Sequence, residues 1–450
     1  MNLLSDKGRR VQYACLIAVL LMEVLLLLFE DRKGGIVWYI LEQYMAIPAM
    51  IFLGTALCSR QTRQTKMMLL LGGAVIAWYI VVQIIHQTMG MNKAEVGTVA
   101  CVYALALPFC TVSADSGKQY GLRLTGMTAV GGGVLILLYG AMLMLGKLPT
   151  FLKNYVTWDG ARFCAMGHPN QCAALLMIGI AFCVGFCIRS KKRWLRGLLL
   201  VLAALQFALM SLTNGRTAIM ITCLMLGGIV FCALRRPGWQ RLALAALAGI
   251  AVVVVLFGAS QVIFRSNVDH RIGLAVQAQR TGIMDEDTPQ LDENGKLKTG
   301  SLQGTLKQNM GTLNGRTRIW QAILSRMRED GQLRAVGTEY VDLVIQQGGR
   351  STPTAHAHNS WMEVWCRRGI AGLILALVLT VLAVWNVAAI LWYNRNLWES
   401  CIAMLMLSLL VCAMLEPYLF ADGITYYFYD FVFMMCLGYM NAWRTREGER

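Results

Sequence analysis

Long apolar runs constrain this chain more than any other feature. LALAALAGIAVVVVLFGA (242–259) and ACLIAVLLMEVLLLLF (14–29) are two of many. Runs of about 20 such residues are long enough to cross the hydrocarbon core of a bilayer as helices. Hydrophobic residues make up 57% of the chain and charged residues 15%, where a soluble domain carries about a quarter charged. The expected fold class is therefore all-α: a polytopic membrane helix bundle of about 12 transmembrane helices with one large, partly helical outer loop. The first run has no clear small-x-small cleavage site and further spans follow it, so it reads as a span rather than a removed signal peptide.

Hydropathy places the spans at 11–29, 36–58, 67–86, 94–112, 122–146, 171–188, 194–213, 216–234, 239–263, 369–393, 397–420 and 423–443. Basic residues sort the loops between them. Lys7, Arg9 and Arg10 precede the first span, and Arg60, Arg63 and Lys66 follow the second. RSKKRWLR follows the sixth, RRPGWQR the eighth, and Arg444, Arg446 and Arg450 the last. If the spans alternate, all of these lie on one side, which the positive-inside rule makes cytoplasmic. Both termini are then cytoplasmic. The formal net charge of +16 would raise the question of nucleic acid in a soluble protein. Here it follows the topology signal, and membrane lipid is the expected surface, with no nucleic-acid partner.

The chain is thus expected to comprise spans one to nine over 1–263, a large extracytoplasmic loop over 264–368 and spans ten to twelve over 369–450. The loop joins a polar stretch, RTGIMDEDTPQLDENGKLKTGS, to RTRIWQAILSRMRED, where Ile319, Ala322, Ile323 and Met327 are spaced for one apolar helix face. A shorter outer loop, KNYVTWDGARFCAMGHPNQ, precedes the sixth span. The 14 cysteines fall almost entirely within apolar runs, where cysteine packs as a small hydrophobe. No CxxC or Cys/His metal spacing is present, and a disulfide framework is not expected. Cys164 and Cys366 are the two expected near a surface.

Candidate functional residues gather on the outer side. The tetrad NGRT occurs twice, in LTNGRTAIM around Arg216 and in LNGRTRIW around Arg316. No other stretch repeats at that offset, so this is not a repeat architecture. Arg216 sits at the outer end of a span, where positive charge is disfavoured. It reads either as an arginine snorkelling to headgroups or as an anion contact. Arg316 starts a helix, where its charge opposes the dipole. Its ordinary role is solvated; its functional one is to face a ligand. Arg162 and Arg318 are further outer guanidinium groups. Arginine suits a diphosphate because its planar fork donates paired, charge-assisted hydrogen bonds.

His356 and His358 precede span ten in HAHNSWMEVW, with Asn359 beside them. As H-x-H they could ligate a metal, but no third ligand accompanies them. A neutral histidine is a good general base near neutral pH. Asp285 and Asp287 form D-x-D within a turn-rich, solvated stretch. Glu23 and Asp430 are carboxylates inside spans, which are functional candidates by default yet can be capped within a bundle.

The order of these segments resembles the O-antigen ligase and O-antigen polymerase superfamily of membrane glycosyltransferases. ARFCAMGHPNQCAALL is similar to its R-x-x-G-x-x-x-x-P-N segment, with Arg162, Gly167, Pro169 and Asn170 and a looser spacing of the glycine. LTNGRTAIM resembles its arginine at the start of a span. NGRTRIWQAIL resembles its G-R-x-x-x-W helix start, with Arg316 and Trp320. HAHNSWMEVWCRRGIAGLIL resembles its segment of H-N followed by two spaced glycines, with His358, Asn359, Gly369 and Gly372.

The resemblance implies a GT-C-like membrane enzyme. The donor is a glycan linked to polyprenyl diphosphate, transferred to an acceptor hydroxyl with inversion at the outer face of a bacterial-type cytoplasmic membrane. No metal, nucleotide sugar or other cofactor is implied. Arg216 and Arg316 would bind the diphosphate, with Arg162, Arg318 and Asn359 as further possible contacts, and His358 would act as the catalytic base. The acceptor is a glycan, lipid or wall polymer, so a ligase and a repeat-unit polymerase stay open. A transporter of the same lipid-linked glycan is the alternative of a different class.

Overall fold

The structure, a computed structural model, describes residues 6–29, 44, 46–58, 62–85, 93–112, 115–152, 155–166, 168–235, 238–281, 289–291, 316–329, 357–393, 396–420 and 427–448. The helices are α1 (Asp6–Phe29), α2 (Ala46–Leu57), α3 (Arg63–Ile85), α4 (Lys93–Ala100), α5 (Leu107–Val112), α6 (Asp115–Met144), α7 (Pro169–Arg189), α8 (Arg193–Thr213), α9 (Arg216–Leu234), α10 (Trp239–Thr281), α11 (Arg316–Glu329), α12 (Ser360–Tyr393), α13 (Leu397–Ala413) and α14 (Tyr427–Gly448). A π-helical turn, Cys101–Ala106, joins α4 to α5.

Among the described residues seven helices are long and apolar enough to cross a membrane: α3, 119–144 of α6, α7, α8, α9, 239–279 of α10, and α12. Shorter apolar helices at 10–22, 46–57, 97–112 and 397–413 fall on the first, second, fourth and eleventh expected spans. The protein is a multi-pass helical membrane protein.

Three features depart from expectation. The helix of the ninth span does not end at 263. α10 continues unbroken for 43 residues, about 65 Å at 1.5 Å per residue, against a hydrocarbon core of about 30 Å. FRSNVDHRIGLAVQAQRT (264–281) contains no proline, so the helical ladder outlasts the hydropathy. The eleventh span is shorter than 397–420, because α13 stops at Ala413. Pro417 has no N–H to donate and drives the preceding residue out of the helical region. Finally, the loop before α7 holds a β-hairpin, β1 (Val156–Asp159) and β2 (Arg162–Ala165), with Asp159 opposite Arg162. Gly160 has φ 63° at the first position of the two-residue turn, as in a type II′ hairpin.

Cys164 and Cys366 are not near a surface: both are buried, whereas Cys58 is exposed. Cys164 lies on β2, which packs against α7 and α8. Burial, reinforced by Asp159, pushes its thiol up to about 11.

The chain divides into two compact units, residues 1–125, 309–394 and 406–450, and residues 126–308 and 395–405. In the first, α14 is the central helix. Its residues 427–442 are all buried, and it packs on α5 and on the buried π-helical turn. In the second, α7 pairs with α8 and α9 with α10. The hairpin rests on the extension of α10: Asn267 Nδ2 donates to the Ala161 carbonyl at 2.6 Å, and the Arg271 guanidinium sits 4.9 Å over the Trp158 ring.

Candidate active site

In the first unit, the apolar face read from the sequence docks α11. Ile319, Ile323 and Met327 pack with Ala357 and Cys366, flanked by Trp320, Met362 and Trp365. Trp320 Nε1 donates to the Ala357 carbonyl at 2.8 Å. The first residue of α11, Arg316, is thereby brought to the start of α12.

His358 stands just before α12 with φ 50°. That left-handed conformation is uncommon for a residue with a side chain, though histidine is among the types enriched there. Asn359 then caps the helix: its Oδ1 accepts from the Met362 amide at 3.0 Å, one of the donors a helix start leaves unpaired. Asn359 Nδ2 donates to the Met414 carbonyl at 3.0 Å. Glu363 reaches back, accepting from the Ala357 amide at 2.7 Å and from Arg367 Nε at 2.7 Å. His358 is thus held between bonded residues on both sides.

A residue absent from the sequence expectations joins this group. Glu416, in the turns after α13, has a buried side chain, 4% exposed. Its Oε1 accepts from Arg316 Nη2 at 2.5 Å, and its Oε2 lies 3.2 Å from His358 Nδ1. Ser360 Oγ donates to the Glu416 carbonyl at 3.1 Å and accepts from the Leu419 amide at 3.1 Å. Arg316 is itself buried, and its Nε has no hydrogen-bond partner among the described residues.

The second unit joins two other expected arginines to one turn. Arg162 Nε donates to the Thr213 carbonyl at 3.1 Å, and its Nη2 lies 3.5 Å from Asn170 Oδ1. Thr213 ends α8, Asn214 turns the chain with φ 50°, and Arg216 opens α9 with an exposed side chain. Gly215 between them is required by packing: a Cβ there would stand 2.8 Å from the Ala173 Cβ on α7. The ARFCAMGHPN and LTNGRT segments thus meet in space.

Asp430 is buried and accepts from the Phe420 amide at 2.8 Å, a cap of the kind expected for a lone carboxylate in a bundle. His356, Asp285, Asp287 and Gly167, together with the side chains of Glu23 and Arg318, lie outside the described residues.

The multi-pass helical bundle brings a buried guanidinium, a buried carboxylate and a part-buried imidazole together at one helix start. Residues 202–377 match the family described as O-antigen ligase. Arg216, Arg316 and His358 fall within the matched residues, whereas Arg162 and Glu416 fall outside them. No curated protein matches the chain.

Proposed function

We propose that this protein transfers a glycan from polyprenyl diphosphate to an acceptor hydroxyl at the outer face of the membrane. The observation that carries the reading is the convergence of Arg316 and His358 on one buried carboxylate. An enzyme needs its anion contact and its base beside one substrate; a transporter has no such need. The acceptor oxygen attacks the anomeric carbon from the face opposite the diphosphate. His358 takes the hydroxyl proton as the new C–O bond forms. The bond from the anomeric carbon to the phosphate oxygen breaks, polyprenyl diphosphate leaves, and the configuration inverts. General-base help of this kind contributes about 10²–10⁴-fold.

Arg316, placed beside His358 by its bond to Glu416, is the contact for the diphosphate in this reading, where fixed donors stabilise charge as it develops. Arg216 and Arg162, at the turn of the second unit, are proposed from the sequence as anion contacts, and Asn359 is the cap that sets the position of His358. The outer segment 264–368 supplies Arg316 and His358. The contact between His358, just before α12, and Glu416, after α13, supports successive crossings by these two helices, which brings both residues to one side.

Reconstitution with a polyprenyl-diphosphate glycan and candidate acceptors, with product mass as the readout, tests the reading. Transfer is expected to survive EDTA, since arginines do here what magnesium does elsewhere. Absence of transfer to glycan, lipid and wall-polymer acceptors alike, with intact donor bound, would overturn it.

A further inference from the structure

The geometry points to Glu416 as a positioning residue for glycan transfer: it fixes the proton of His358 on Nδ1, so that Nε2 carries the lone pair that receives the acceptor's proton. The inference rests on the reading of His358 as the base.

The argument starts from what each group can donate. A guanidinium has donors only, and Arg316 Nη2 lies 2.5 Å from Glu416 Oε1. A carboxylate bound to that cation is ionised and can only accept. Its second oxygen, 3.2 Å from His358 Nδ1, therefore needs a hydrogen on that nitrogen. In the neutral ring the other nitrogen must then be the base. Orientation of an imidazole by a hydrogen bond to one nitrogen is how the chemistry of the other is set.

The carboxylate is itself held in place. Ser360 bonds the Glu416 carbonyl, and Asn359 bonds the carbonyl of Met414. Both residues belong to the start of α12, next to His358. The turn that carries Glu416 and the segment that carries His358 are therefore one bonded assembly. At 4% exposure the carboxylate is screened less than a solvated one, and its charge acts on both neighbours.

Glutamine at 416 separates this role from a merely structural one. Arg316 would fix the amide oxygen, because it offers donors alone. The amide nitrogen would then face His358 Nδ1 and donate to it. The ring proton would move to Nε2, and the base would be lost with side-chain shape preserved, although the Arg316 charge would lose its partner. The same change removes a negative charge beside the diphosphate contact, so donor binding should hold or tighten.

The experiment compares wild type, Glu416→Gln, Glu416→Asp and His358→Ala in liposomes, reading donor affinity and turnover at saturating donor. For Glu416→Gln the expected result is turnover lower by about 10²–10⁴-fold with donor Kd no weaker than wild type. Glu416→Asp keeps the charge and should fall between wild type and the glutamine variant. Glu416→Gln turnover within about threefold of wild type, with His358→Ala inactive, would overturn the positioning role alone. So would a donor Kd weakened in step with turnover, or an aspartate variant no better than glutamine. Normal turnover in His358→Ala would remove the base itself, and this inference with it.

Discussion

Arg316 and Glu416 form a buried ion pair at 2.5 Å, with their side chains 9% and 4% exposed. Removing one member of such a pair strands the other charge, at about 3–5 kcal/mol, whereas a cation of different shape need not. Arg316→Ala should therefore lose about 3–5 kcal/mol of stability. Arg316→Lys should keep most of it, since an ammonium can still meet the carboxylate. Lysine has no second planar edge for a phosphate, so its turnover should fall by an order of magnitude or more, as should that of Arg216→Lys. Thermal unfolding beside kcat/KM separates the effects, and lysine variants with normal kcat/KM would reduce both arginines to structural contacts.

His358 has two requirements, a ring and a left-handed backbone. Asparagine tolerates that backbone but cannot serve as the base. His358→Asn should fold and bind donor as wild type does, with transfer lower by about 10²–10⁴-fold. His358→Val adds a β-branched side chain at φ 50° and should also lose stability. Equal Tm for the two variants would mean that this backbone conformation is unimportant.

Ile323 is fully buried in the cluster that docks α11. Truncation to alanine should cost about 2–5 kcal/mol and release the helix that carries Arg316. Donor affinity should weaken although Ile323 belongs to an apolar cluster. Limited proteolysis within 316–329 should quicken in parallel. Unchanged proteolysis with weakened donor binding would point away from α11 docking as the cause.

The basic-loop pattern predicts an outward-facing segment between α10 and α11. Single cysteines placed at 290–310 should react with a membrane-impermeant maleimide added to intact cells. Reaction only after the cells are opened would invert the topology and move the site to the cytoplasmic side.

The parts of this fold that hydropathy and helix periodicity control were legible in the sequence. The long apolar runs gave the span helices, and the spacing of Ile319, Ile323 and Met327 gave the face that docks α11. His358 was visible because it precedes a span, and Arg316 because it opens a helix. Glu416 was not, because hydropathy carried the eleventh span through it to 420. The signal was nevertheless present: in MLEPYLF (414–420) a proline follows a charged residue, and the helix cannot continue there. The hairpin had a similar cue in YVTWDGARFCA (155–165), where Gly160 opens a two-residue turn between two stretches of strand-favouring residues. The extension of α10 was missed because apolarity and helicity end at different places. No local pattern could have paired Glu416 with both Arg316 and His358, since that contact depends on how α11, α12 and the end of α13 pack together.

Within α12, Gly369 has φ 66° and ψ −169°, a conformation open essentially to glycine alone. The bend takes the Arg368 carbonyl out of the helical ladder, and Trp78 Nε1 on α3 donates to it at 3.0 Å. A carbonyl left unsatisfied at membrane depth costs several kcal/mol, so the two positions answer to one oxygen atom. A sequence that replaced the glycine would straighten the helix and leave the indole without its acceptor. A sequence that replaced the tryptophan with phenylalanine would fill the same space and strand the carbonyl. Residues 78 and 369 should therefore change together, if at all, as chains of this kind diverge, even though neither touches the reacting groups.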